Sequence, residues 1–181
     1  MFTRPIICAL ALFIGLTACS ETATKQADIT LAPSTTLSFH MVRPESNNEA
    51  AMRLALDGKV PPGAIYLKEK NGAGLILERE TEINQNCLKK VSHSRHPTLP
   101  TSHILNFQFN ADCAKIFGRL TSKSIGKRFA VVVNNEIITA PRINSAITGG
   151  SGFIEGDFTK ADIDALVSDL QQTIKLNKPT Q

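Results

Sequence analysis

The stretch Ile104-Leu105-Asn106-Phe107-Gln108-Phe109-Asn110-Ala111-Asp112-Cys113-Ala114-Lys115-Ile116-Phe117-Gly118-Arg119-Leu120 changes its hydrophobic period halfway along. Leu105, Phe107 and Phe109 recur at every second position, which puts them on one face of a β-strand. Cys113, Ile116, Phe117 and Leu120 then fall at i, i+3, i+4 and i+7, the stripe of an amphipathic helix. Asn110 and Asp112 stand where that helix would begin, and both side chains can accept from free backbone N–H groups there. A strand running straight into a helix, each with one apolar side, calls for a layered α+β core.

Reading on from Leu120, Arg128 to Val133 is apolar and β-branched and predicts a buried strand. Asn134-Asn135 is a tight turn, and Glu136 to Ala140 returns as its partner before Pro141 breaks the pairing. Thr148-Gly149-Gly150-Ser151-Gly152 reads as a flexible loop, followed by a strand from Phe153 to Phe158. Thr159 with Asp162 forms an acidic capping box for a helix reaching Lys175, striped by Ile163, Leu166, Val167, Leu170 and Ile174. The order strand, helix, hairpin, strand, helix predicts an antiparallel-rich sheet with helices on one face, of the ferredoxin-like kind.

Upstream, Thr35 to Arg43 alternates, with Leu37, Phe39 and Met41 inward and Ser38 and His40 outward. Glu49 to Leu56 is rich in helix formers and is closed by Asp57-Gly58. Ala64 to Glu69 and Gly74 to Arg79 read as a hairpin around Lys70–Ala73. Glu80 to His96 shows no clear period, and Pro97 to Pro100 is a loop. This divides the folded part into an N-terminal α+β portion, residues 35–100, and a second portion, residues 101–176.

Several linked motifs in the second portion resemble SecD, the accessory subunit of the bacterial preprotein translocase. They are Phe107-Gln108-Phe109 with Ala114-Lys115-Ile116-Phe117 and Leu120-Thr121, then Ile125-Gly126-Lys127-Arg128-Phe129-Ala130-Val131-Val132-Val133. Ile138-Thr139-Ala140-Pro141-Arg142-Ile143-Asn144 and Ile147 to Thr159 follow in order. Pro62-Gly63 to Leu77 is loosely similar to the preceding region. The match is to the head (P1) subdomain of SecD's first periplasmic domain. The resemblance implies that fold and a module contacting emerging polypeptide or envelope and translocase proteins. SecD itself has six membrane helices and couples energy through groups embedded there. Here no second apolar run of membrane length follows, so the resemblance implies a stand-alone binding module without proton-driven transport.

The first residues resemble a bacterial lipoprotein signal. Arg4 is a short basic start, and Pro5 to Leu16 is an apolar run of about a dozen residues, shorter than the ~20 a membrane-spanning helix needs. Leu16-Thr17-Ala18-Cys19 resembles a lipobox. The resemblance implies cleavage after residue 18, diacylglycerol on the thiol of Cys19 and a fatty acid such as palmitate on its amine. Several chains together anchor stably, since one alone is marginal. Residues 19–34 then form the lipidated N-terminus and a polar tether. Ser20 in place of Asp implies the outer membrane rather than the inner.

Cleavage would leave 163 of the 181 residues and lower the net charge from +4 to +3. The basic residues are scattered along the sequence, which argues against nucleic acid as a partner. Cys8 leaves with the signal and Cys19 takes lipid, so Cys87 and Cys113 remain. In an oxidising compartment two thiols predict a disulfide, with two separate buried thiols as the alternative.

Chemistry finds little support. His93, His96 and His103 could ligate a metal only if they converged, and the loop around Pro97 and Pro100 separates them. Ser151 sits in Gly-Gly-Ser-Gly, but the spacing is wrong for a nucleophile elbow. Asp157, Asp162, Asp164 and Asp169 read as cap and solvated face of the last helix. We therefore expect a non-enzymatic binding module without cofactor or metal, with Gly149, Gly150, Ser151 and Gly152 as the candidate binding loop. The alternatives are a small-ligand, metal-binding or enzymatic reuse of the fold, and a structural envelope lipoprotein.

Overall fold

A computed structural model describes residues 35–177. The signal, Cys19 and the tether lie outside the described residues. In chain order the strands are β1 (Leu37–Met41), β2 (Ala64–Lys68), β3 (Gly74–Glu78), β4 (Leu88–Arg95), β5 (His103–Phe109), β6 (Phe129–Val133), β7 (Glu136–Thr139) and β8 (Ser151–Glu155). The α-helices are α1 (Glu49–Leu56), α2 (Ala111–Lys123) and α3 (Lys160–Leu176).

Asn110 makes the junction between β5 and α2. Its side chain accepts from the N–H of Cys113 at 2.9 Å, so Asn110 is the cap and Asp112 sits in the first turn, where its charge complements the helix dipole. Thr159 and Asp162 form the reciprocal capping box of α3. Asn134 and Asn135 both adopt left-handed backbone, φ 50° and 65°, and join β6 to β7 in a two-residue turn whose twist matches the strands.

The α+β class holds, with the antiparallel strands distributed over three hydrogen-bonded sheets rather than one. These are β1-β6-β7, the hairpin β2-β3, and β4-β5-β8. Alternation assigns a strand its faces but not its neighbours, so the β6-β7 hairpin finds β1 and not β5. Bridges from Val42 to Leu77 and from Glu69 to Ile137 tie the β2-β3 hairpin to the first sheet.

The division at residue 100 is not a structural boundary. β4 pairs with β5 across it, and β1 pairs with β6, Phe39 facing Val131. The described residues belong to one compact unit.

The two three-stranded sheets meet around five phenylalanines. Phe39 of β1 packs edge-on against Phe107 and Phe109 of β5 and Phe117 of α2, with ring centroids 5.5, 5.5 and 5.9 Å apart. Phe129 of β6 closes the group at 5.8 Å from Phe39. Each such pair adds about 0.5–1.5 kcal/mol beyond its burial. Ile163, Leu166, Val167 and Leu170 lay the apolar stripe of α3 into the same core. α1 packs elsewhere, placing Ala55 against Ala64 and Ile76 of the hairpin.

Cys87 and Cys113 are joined, Cα atoms 5.5 Å apart. The bond fixes the first turn of α2 to the 3-10 turn preceding β4. His40, expected to face outward, is buried. Its Nδ1–H donates to the carbonyl of Glu78 and its Nε2 accepts from the hydroxyl of Ser38, each at 2.8 Å. Both ring nitrogens are thereby satisfied in the neutral ring, and desolvation holds its pKa below the ordinary 6.5.

Candidate functional site

A groove of about 410 Å³ opens between β8 and the segment Thr139–Ser145. Its floor is the phenylalanine cluster, contributed by Phe39, Phe107, Phe117 and Phe129. One rim carries Pro141, Arg142, Ile143 and Asn144, and the other carries Gly152, Phe153, Ile154 and Glu155. The lining is apolar, with a few polar groups at the rims, as in sites that take an apolar ligand and orient it by its edges.

Local chemistry holds each rim. Pro141 has no N–H to give, but its carbonyl accepts from Phe129 at 3.0 Å, and Ile143 pairs back to Lys127 at 2.8 Å. The guanidinium of Arg142 donates to the carbonyl of Gly126. Thr121, 1% exposed, holds the next turn of this segment to α2 by accepting from the N–H of Ile147 at 2.9 Å.

The opposite rim corrects the sequence reading. Thr148–Gly152 is not a free loop: β8 begins at Ser151, two residues earlier than expected, and ends at Glu155. Gly150 is buried with φ +62°, and a Cβ there would stand 2.3 Å from that of Ala114. A Cβ on Gly152 would lie 3.0 Å from the ring of Phe107. These two glycines let the backbone lie directly on α2 and β5. Of the four candidates only Gly152 lines the groove, and Gly149 and Ser151 are exposed outside it.

Phe153, 53% exposed, and Glu155 are the residues missed. An aromatic residue alternating out of phase with buried Ile154 was the available signal. Phe153 packs edge-on to His96 at 6.4 Å, and His96 Nε2 pairs with Glu155 at 2.8 Å. The Nδ1 of His96 accepts from the N–H groups of Thr98 and Leu99, so Nε2 carries the proton and donates to Glu155.

The three histidines are not brought together. His93 and His103 are neighbours, ring centroids 6.2 Å apart, whereas His96 is engaged with Glu155. His93 Nε2 instead meets Asp164 at 3.0 Å. The hydrogen bond from Lys160 is the main cause holding that carboxyl below its ordinary value. Among the described residues no group of three or more His, Cys, Asp or Glu side chains could hold a metal ion. The hydroxyl of Ser151 has no hydrogen-bonded base among the described residues. No helix among them is long and apolar enough to cross a membrane.

Residues 63–173 match the family described as the SecDF P1 head subdomain. That match begins at the Pro62-Gly63 stretch that the sequence showed as only loosely similar, and runs through the more specific motifs from Phe107 onward. The protein translocase subunit SecD of Rickettsia conorii is 35% identical over 133 residues, 71% of this chain and 24% of the relative. SecD of Elusimicrobium minutum is 30% identical over 151 residues, 74% of this chain and 32% of the relative. The chain thus spans about a quarter to a third of the length of these relatives. A solved structure of SecDF, described as a membrane component that enhances protein export, is similar with a TM-score of 0.57 at 21% identity. It covers 78% of this chain and 64% of that one, and at this identity it establishes the fold alone. Matched over more than half its length and folded as these relatives are, the chain belongs to the SecDF P1 head family.

Proposed function

We propose that this chain is a lipid-tethered envelope module that holds extended polypeptide during export. The observation that carries the reading is the aromatic groove of about 410 Å³ beside β8. An unfolded chain offers apolar side chains of varied shape. A phenylalanine floor accepts them with little demand on sequence, because aromatic faces gain from contact more than from a fixed polar pattern. The family supports the same use, since its relatives are named as translocase subunits and one as a component that enhances protein export.

The tether belongs to the proposal. Leu16-Thr17-Ala18-Cys19 supports lipidation at Cys19, and Ser20 supports placement at the outer membrane, facing the periplasm. The Cys87–Cys113 bond fits an oxidising compartment. Translocase or other envelope proteins would then be partners.

The test is binding of a permanently unfolded, carboxymethylated polypeptide against its folded parent. It uses the mature chain from residue 19, with Cys19→Ala to keep it free of lipid. Selective binding of the unfolded form, weakened by Phe153→Asp at the rim, is the expected result. Equal binding of both forms, or of neither, would count against the reading. Deleting residues 148–152 is a poor control, because it removes the start of β8. For the tether, the full chain should fractionate with membranes, and Cys19→Ala should release it.

A further inference from the structure

We propose that the bound polypeptide joins the β4-β5-β8 sheet as a fourth strand on β8, recognised through its backbone. This rests on the polypeptide-binding reading above and names how that site would hold its ligand.

The register of β8 decides which of its backbone groups are free. Phe109 N–H donates to the carbonyl of Gly150 at 2.8 Å, and the same register pairs Phe107 with Gly152 and Leu105 with Ile154. In an antiparallel pair, hydrogen-bonded positions alternate. Gly150 therefore spends its C=O, and Gly152 and Ile154 their N–H and C=O groups, on β5. Ser151, Phe153 and Glu155 point theirs the other way, and no partner meets those groups among the described residues.

The other edges of the two three-stranded sheets are each met at one or more positions. At β4, Gln171 Nε2 donates to the carbonyl of Val91 at 3.3 Å, and α3 runs beside the strand. The outer edge of β1 is met by Ile83 and, just past its end, by Ile76; both carbonyls accept main-chain N–H groups at 2.9 Å. β7 is bridged by Glu69 at Ile137. Of these four edges β8 is the one that borders the cavity with the aromatic floor, along Gly152, Phe153, Ile154 and Glu155. An open row of alternating donors and acceptors is complementary to one thing above all, another extended backbone. Alternate side chains of the added strand would enter the groove and the rest would face solvent, so apolar residues at every second position are the preferred sequence.

The test uses the same lipid-free mature chain and carboxymethylated polypeptide. Ser151→Pro removes one outward N–H that the fold does not use, and Ser151→Ala keeps it. Affinity should fall about tenfold in the proline variant, the cost of leaving one buried hydrogen-bonding group unpaired, and stay at the parent level in the alanine variant. Should the proline variant fail to fold, the perturbation moves to the ligand. A short peptide of alternating apolar residues is N-methylated at every second position, in both phases; one phase should lose binding and the other keep it. Undiminished binding by a folded Ser151→Pro protein, or equal binding of both methylated peptides, overturns strand addition while the polypeptide reading stands. A parent protein that binds no unfolded chain, or that only dimerises through β8, overturns both.

Discussion

The hydroxyl of Thr121 accepts the N–H of Ile147 at 2.9 Å and gives its own proton to the carbonyl of Phe117 at 2.8 Å. This single buried side chain fastens the groove's outer segment to α2. Replacing it with isosteric valine leaves an N–H without its acceptor. Thr121→Val should cost about 1–3 kcal/mol in urea unfolding. It should also weaken any ligand of the groove, since Thr121 and Ile147 both line it. An unchanged midpoint would mean that the segment is held by other contacts.

Gly149 and Gly150 are adjacent but should behave differently. A Cβ added at Gly149 would meet nothing within 4 Å, whereas Gly150 combines φ +62° with a close approach to Ala114. Gly150→Ala should destabilise by roughly 1–3 kcal/mol through overpacking and backbone strain. Gly149→Ala should stay within about 0.5 kcal/mol of the parent. Thermal melts of the two variants suffice, and equal losses would contradict the assignment.

Reduction should loosen the start of α2. The bond between Cys87 and Cys113 spans a sequence separation of 26. On the chain-entropy account its removal costs about 3–4 kcal/mol. The carbonyl of Cys87 still accepts from Asn110 at 2.8 Å, so the fold should persist at lower stability. Unfolding curves with and without reductant, beside the Cys87→Ala/Cys113→Ala double variant, measure the difference. Identical curves would show that the bond contributes nothing.

His40 should make stability depend on pH. Burial lowers its pKa in the folded protein, so between that value and the ordinary 6.5 the unfolded chain takes up a proton that the folded one refuses. Stability is therefore full above about pH 6.5 and declines as the pH falls below it. Urea midpoints of the parent and His40→Gln at pH 5 and 7.5 isolate this contribution. The drop between the two pH values should shrink in the variant, and an equal drop in both would assign it to other groups.

Local features were legible in the sequence where a few neighbouring residues decide the structure. The Asn110 cap, the Thr159–Asp162 box and the Asn134-Asn135 turn are of that kind. β4 was not legible because a register shift between Leu88 and Lys90 breaks its alternation. Buried Leu88 and Val91 then stand three residues apart, a helix's spacing rather than a strand's. β8 was placed late for a different reason. Ser151 and Gly152 have no strand preference of their own and become strand only by pairing with Gln108 and Phe107. The groove depends on such distant pairings throughout, and so only its Gly152 was named in advance.

Gln171 has a consequence for self-association. Fibres grow when a sheet is open on both sides, so that each arriving copy offers a fresh edge to the next. Here the β4 side of the sheet is met at Val91 by the Gln171 amide. Two copies meeting at β8 would use both β8 edges at once, and growth past a pair would have to run along β4 beside Gln171. A receptive edge on β8 then leads first to a pair rather than to a fibre.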